Sequence, residues 1–178
     1  MAIPLGITAA AYLVECAGEN MIVKIIRGFI NTLAGVPSIV FGLFGMAFFV
    51  MFLLPAFGKQ PQACILTASM TLAVLVLPVI IRSSEEAIRA VPRTYKEASL
   101  ALGAGNFSTF IFVTMPAAMP GILTGIILSL SRAAGETAPI LFTGAVALGP
   151  IPDSIFSPTR TLSYGSYDIA VGDRLAMQ

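Results

Sequence analysis

The sequence predicts an all-α fold, a polytopic transmembrane helical bundle, and three observations carry that expectation. Only 11% of the 178 residues are charged and 57% are hydrophobic, whereas soluble domains carry about 25% charged residues. Mean hydropathy is +0.91. The charges are also clustered: none falls from Gly28 to Gly58, from Gln60 to Ile81, or from Ala98 to Ser131. A helix needs about 20 apolar residues to cross the hydrocarbon core. The first two windows each meet that length, and the third must hold a span and something more.

The elements follow in chain order. Met1 to Val14 is apolar and lacks the basic start of a signal peptide; it reads as the trailing part of a membrane helix. Glu15 to Arg27 is a polar interval with Glu15, Glu19, Lys24 and Arg27. A span is expected from about Ile30 to Leu54, broken early by Gly35, Pro37 and Ser38. A short turn over 55–61 holds Lys59, and the next span covers about Gln62 to Ile81, with Pro78 as a source of kinking. Arg82 to Lys96 is the most densely charged stretch. Within it Ser83 with Glu86, and Thr94 with Glu97, have the spacing of capping boxes and should each open a short helix. The second of these, about Tyr95 to Leu102, should stop at Gly103 as its C′ residue. Asn106 should cap another short helix to about Met115, and the last span covers about Ala117 to Gly135. After Leu148 the chain turns polar.

Cytoplasmic loops carry an excess of Lys and Arg. Six basic residues (Lys24, Arg27, Arg82, Arg89, Arg93 and Lys96) then lie inside and Lys59 outside. Residues 82–116 become an inner loop and 149–178 an outer one. The apolar hairpin on the inner loop needs cover from a protein or the bilayer surface.

Several function classes lose support. A net charge of +1 and the absence of Trp leave no basis for nucleic-acid binding. With no His, the commonest general base and metal ligand is missing, so no catalytic or metal residues are assigned and no cofactor is implied. Cys16 and Cys64 have no metal-type spacing and read as packing residues. No phosphate-binding loop occurs, so any ATP use must come from another chain.

One spaced pattern points to function. Glu97-Ala98-Ser99 is followed by Gly103, then by Val113, Met115 and Pro116. It resembles the EAA signature of ABC importer permeases, which reads Glu-Ala-Ala, three residues, Gly, nine residues, Ile, one residue, Leu-Pro. Ser, Val and Met stand here for Ala, Ile and Leu. Small residues at 98, 99 and 101 allow another surface to approach closely, and Gly103 permits a sharp turn. The segments Leu33-Ala-Gly-Val-Pro-Ser-Ile-Val-Phe-Gly-Leu-Phe-Gly45 and Ser131-Arg-Ala-Ala-Gly-Glu-Thr-Ala-Pro-Ile-Leu-Phe-Thr143 are similar to phosphate-specific permeases, of the PstA type rather than the PstC type.

This resemblance implies a bundle of the MetI-like permease type over 1–178, truncated at both ends, since family members hold more spans. It implies an inner-membrane subunit that does no chemistry itself. Its implied partners are ABC ATPase subunits docking on Glu97, Ala98, Ser99, Gly103 and Pro116, a PstC-type sister permease, a phosphate-binding protein outside, and the lipid bilayer. Arg132 and Glu136 lie one helical turn apart near the outer end of the last span. Intramembrane charges are costly and usually face a pathway or a partner, so this pair, with Ser38 at the Gly35–Ser38 break, is expected along the anion path. The open alternatives are a permease for another oxyanion or solute, a secondary transporter, and a structural protein without a path.

Overall fold

The computed structural model describes residues 2–18, 20–144, 152–159, 161–163, 165–166 and 169–171. Among these the regular elements are helical throughout: α1 (Ala2–Glu15), α2 (Met21–Ala34), α3 (Ser38–Ala56), α4 (Ile65–Arg89), α5 (Arg93–Ala101), α6 (Asn106–Gly135) and α7 (Ala138–Thr143). Three of them, α3, α4 and α6, are long and apolar enough to cross a membrane. The all-α polytopic expectation holds. Much of the expected outer loop, 149–151, 160, 164, 167–168 and 172–178, lies outside the described residues, as does Glu19.

Several boundaries differ from the sequence reading, each for a physical reason. The expected span over Ile30–Leu54 is two elements. Gly35 and Pro37 stop α2, because the residue before a proline is pushed out of the helical region, and α3 starts afresh at Ser38. The polar interval after Glu15 is mostly helix as well. In α2, Val23 is buried and Arg27 and Ile30 are half-buried, whereas Ile22, Ile25, Ile26, Phe29 and Leu33 form an exposed apolar stripe.

The expected span over Gln62–Ile81 continues unbroken to Arg89. At 1.5 Å per residue its 25 residues reach about 37 Å, beyond a hydrocarbon core of about 30 Å, so the charged end is helical too. Ser83 is therefore no cap, and its hydroxyl donates to the Ile80 carbonyl at 3.2 Å. Nor does Thr94 cap α5, which begins at Arg93 with no side-chain cap. Asn106 is the first helical residue rather than a cap. The short helix and the last span are one 30-residue helix, α6.

Prolines inside α3 and α6 are accommodated rather than terminal. Pro116 lacks an N–H and its ring would clash with the carbonyl of Phe112. Residues Phe110–Thr114 widen into a π-helical turn, and the Met115 N–H bonds to the Phe110 carbonyl. In α3 the same widening covers Met46–Leu53 just before Pro55.

The described chain forms two compact units. The first gathers α1, α2, α4 from Val76 onward, α5, and α6 as far as Leu130. Its core is Ala10, Leu13, Val23, Ile81, Ile88, Val91, Ala118 and Ile122. Lipid tails are as apolar as Leu, so close packing rather than water exclusion must hold membrane helices together. Here α4 and α6 approach through small residues. A Cβ on Gly121 would sit 2.8 Å from that of Ala87, and one on Gly125 would sit 2.6 Å from that of Ser83. Both pairs are spaced i, i+4, giving a small-xxx-small contact on each helix.

The second unit holds α3, α4 as far as Leu75, and the chain from Ser131 with α7. Among its described residues the buried side-chain polar atoms are matched. The Thr143 carbonyl, an orphan at the end of α7, accepts from the Cys64 N–H at 3.1 Å and the Thr67 hydroxyl at 2.7 Å. The first N–H groups of α4, from Ile65 and Leu66, donate to the carbonyls of Ser157 and Ile155. Cys64 is fully buried at this junction, in keeping with a packing role.

Candidate functional site

The sequence-predicted coupling residues lie on α5 and the start of α6. No residue of α5 is buried. Its C-terminus closes as a Schellman motif: the Gly103 N–H bonds to the Leu100 carbonyl at 3.0 Å, and the Ala104 N–H to the Ser99 carbonyl at 3.2 Å. Gly103 has φ +86°, the left-handed conformation that the motif requires at C′. The chain then re-enters helix at Asn106, so α5 and the first turns of α6 form a hairpin. The Ser99 and Thr109 hydroxyls, 2.9 Å apart, join its two arms. The sequence reading assigned Ser99 a role but missed Thr109, which is buried.

The hairpin presents apolar side chains outward. Leu102 is 90% exposed, Phe107 79% and Phe112 75%. Glu97 and Ala98 are exposed beside them and Pro116 lies further along α6, also exposed. Among the described residues Glu97 has no ion-pair partner. The exposed Glu97, the small residues and the hydrophobic rim together make a surface fit to receive another protein.

Behind the hairpin is an ionic network with no counterpart in the sequence reading. Glu85 Oε1 lies 2.8 Å from Arg27 Nε and 2.9 Å from Arg89 Nη2, so one carboxylate serves two guanidiniums. Arg27 also donates to the Leu13 carbonyl at 2.8 Å. Lys96 of α5 pairs with Glu15 at the end of α1, and the exposed Arg82 pairs with Glu86 at 3.0 Å. The i, i+4 spacing could have flagged Glu85–Arg89 and Arg82–Glu86, but no local signal joins Arg27 to Glu85 or Lys96 to Glu15.

The second candidate group is in the other unit. Arg132 Nε lies 3.3 Å from Glu136 Oε1. Glu136 is the more buried of the two, and its carbonyl accepts from the Ser163 hydroxyl at 3.2 Å. Helix α6 ends between them at Gly135, and α7 begins at Ala138 with Pro139 in its first turn. Ser38 is the first residue of α3, half-buried after the Gly35–Pro37 break. Among the described residues no hydrogen bond or ion pair joins it to Arg132 or Glu136. No group of three or more candidate metal ligands occurs among the described residues.

Comparison with known proteins places this geometry in a family. Residues 2–164 match the family described as "Binding-protein-dependent transport system inner membrane component". The chain is 37% identical over 179 aligned residues to the probable ABC transporter permease protein YqgI of Bacillus subtilis, covering 94% of this chain and 59% of that protein. It is 43% identical to the phosphate transport system permease protein PstA of Mycobacterium leprae, covering 79% and 44%. To the PstA protein of Xylella fastidiosa (strain 9a5c) it is 38% identical, covering 89% and 53%. The chain thus spans about half the length of the curated relatives it matches.

Proposed function

From the premise that this chain belongs to the family of binding-protein-dependent transport system inner membrane components, we propose that it is the permease part of an ATP-driven importer of inorganic phosphate. The observation that carries the reading is the exposed hairpin turned at Gly103. It bears the EAA spacing in a chain 43% identical to a phosphate transport permease. The permease performs no chemistry. ABC ATPase subunits bind the hairpin of α5 and the start of α6, within residues 82–116, with Glu97, Ala98, Ser99, Gly103 and Pro116 as contacts or shape-setting residues. Their ATP-driven motion is passed to α4 and α6 and switches the spans between outward and inward access. A PstC-type sister subunit completes the pathway, and a phosphate-binding protein delivers the anion from outside. Arg132 faces the anion path with Glu136 setting its field, and the Ser38 break exposes backbone groups to it, as broken helices do in transporters.

The test is phosphate uptake by the full-length protein carrying this sequence, co-expressed with ATPase, sister permease and binding protein. ATP-dependent uptake that is lost in Gly103→Val supports the reading. Uptake of sulfate or molybdate in place of phosphate would keep the importer class and replace the cargo. Uptake indifferent to ATP and to Gly103 would overturn both.

A further inference from the structure

Helix α5 borders a cleft of about 540 Å³ whose lining includes Arg27, Arg89, Arg93 and Lys96 over apolar residues such as Leu13 and Val91. Among the described residues the cations are incompletely neutralised. Arg27 and Arg89 share the single carboxylate of Glu85, and Lys96 is met by Glu15. Arg93 has no carboxylate partner among the described residues. Glu97, the one acid in the cleft lining among the described residues, stands a helical turn from Arg93 without pairing with it.

We propose that this cleft binds a phosphate group, either the headgroup of an anionic lipid or free inorganic phosphate, through Arg89, Arg93 and Lys96. Guanidinium forks match phosphate oxygens bidentately and an ammonium adds a point charge. The apolar part of the lining lowers the competing hydration of the ion. Basic pockets at the ends of membrane helices are where lipid phosphate is held. Glu85 does not oppose the anion, being held between two guanidiniums, whereas Glu97 does.

The consequence is mechanical. Helix α5 buries no residue, and its side-chain tethers among the described residues are the Lys96–Glu15 pair and the Ser99–Thr109 contact. A phosphate group bridging Arg93 and Lys96 to Arg89 of α4 adds a third tether and restrains the helix that carries the EAA spacing. This inference stands on the chemistry of the cleft and does not depend on the cargo proposed above.

The experiment follows amide hydrogen exchange over residues 93–101 in the full-length protein in nanodiscs. One arm compares phosphatidylcholine discs with discs containing phosphatidylglycerol, without free phosphate. The other adds millimolar inorganic phosphate to phosphatidylcholine discs. A charge-assisted contact should slow exchange by about tenfold. Slowing in the first arm identifies a lipid headgroup, and slowing in the second identifies the free anion. The double variant Arg89→Gln with Arg93→Gln should abolish the slowing, and Glu97→Gln should strengthen it. Because Arg89 pairs with Glu85, the single variant Arg93→Gln, at an exposed residue, repeats the test should the double variant misfold. No slowing in either arm, or slowing that survives Arg93→Gln, overturns the proposal. Phosphate uptake measured in parallel separates that failure from failure of the cargo reading.

Discussion

At position 103 the backbone lies at φ +86° and a Cβ would meet nothing within 4 Å. Space is therefore free, and only the conformation is restrictive. A left-handed backbone costs an L-residue roughly 1–2 kcal/mol, least for Asn and most for branched side chains. Gly103→Asn should keep most ATPase association in co-purification, and Gly103→Val should lose it. Equal loss in both would mean that the turn's conformation is not what matters. The network behind the hairpin gives a second contrast. Glu85 is 14% exposed and bridges two arginines, whereas Glu86 is 66% exposed and meets one. Glu85→Gln should lower thermal stability in detergent by about 1–3 kcal/mol, since it leaves the half-buried Arg27 short of a counter-charge. Glu86→Gln should change it by less than about 1 kcal/mol, as for a surface pair.

Among elements, the contact most exposed to test is that of α4 with α6. Gly125→Leu should destabilise the first unit by about 1–3 kcal/mol through overpacking, as read by thermal unfolding. Ser83→Gly in the same chain should recover part of that loss, because Ser83 is what the new side chain strikes. Absence of recovery would place the strain elsewhere. The small residues of this contact are plain in the sequence, but a Gly-x-x-x-Gly spacing says only that a backbone approaches there, not which helix does. The same limit governs the boundaries. Charge placement marked three spans, yet charge does not end a helix, so α4 runs on through Arg82 and Glu85 where a separate short helix on an inner loop was expected. Prolines were legible in one place and not in the other: the break at Pro37 was read and does separate two elements, whereas Pro116 is absorbed by a π-helical turn that no residue pattern announces. The turn at Gly103 was legible because its chemistry is local and a C′ glycine depends on its own φ.

For the molecule as a whole, membrane class and family were legible because composition and a spaced motif do not depend on knowing which helices touch. The long-range pairs Arg27–Glu85 and Lys96–Glu15, and the hydroxyl contact of Ser99 with Thr109, had no such local signature. The Arg132–Glu136 pair stands between these cases: its i, i+4 spacing fixed the partnership, but the role proposed for it would be a property of an assembled transporter. Two roles make opposite predictions. If the residues only neutralise each other where the span ends, exchanging them in a double variant, Arg132→Glu with Glu136→Arg, keeps the pair and should preserve both folding and uptake. If Arg132 faces the anion, the exchange moves its guanidinium by one turn and puts a carboxylate where phosphate must pass. The protein should then fold and assemble with its ATPase while phosphate uptake falls by at least about tenfold, the effect of losing one charge-assisted contact. Arg132→Lys should fall less, since it keeps the charge and loses only the fork geometry. Full uptake by the exchanged pair, with normal assembly, would remove Arg132 from the pathway and leave it as a boundary charge.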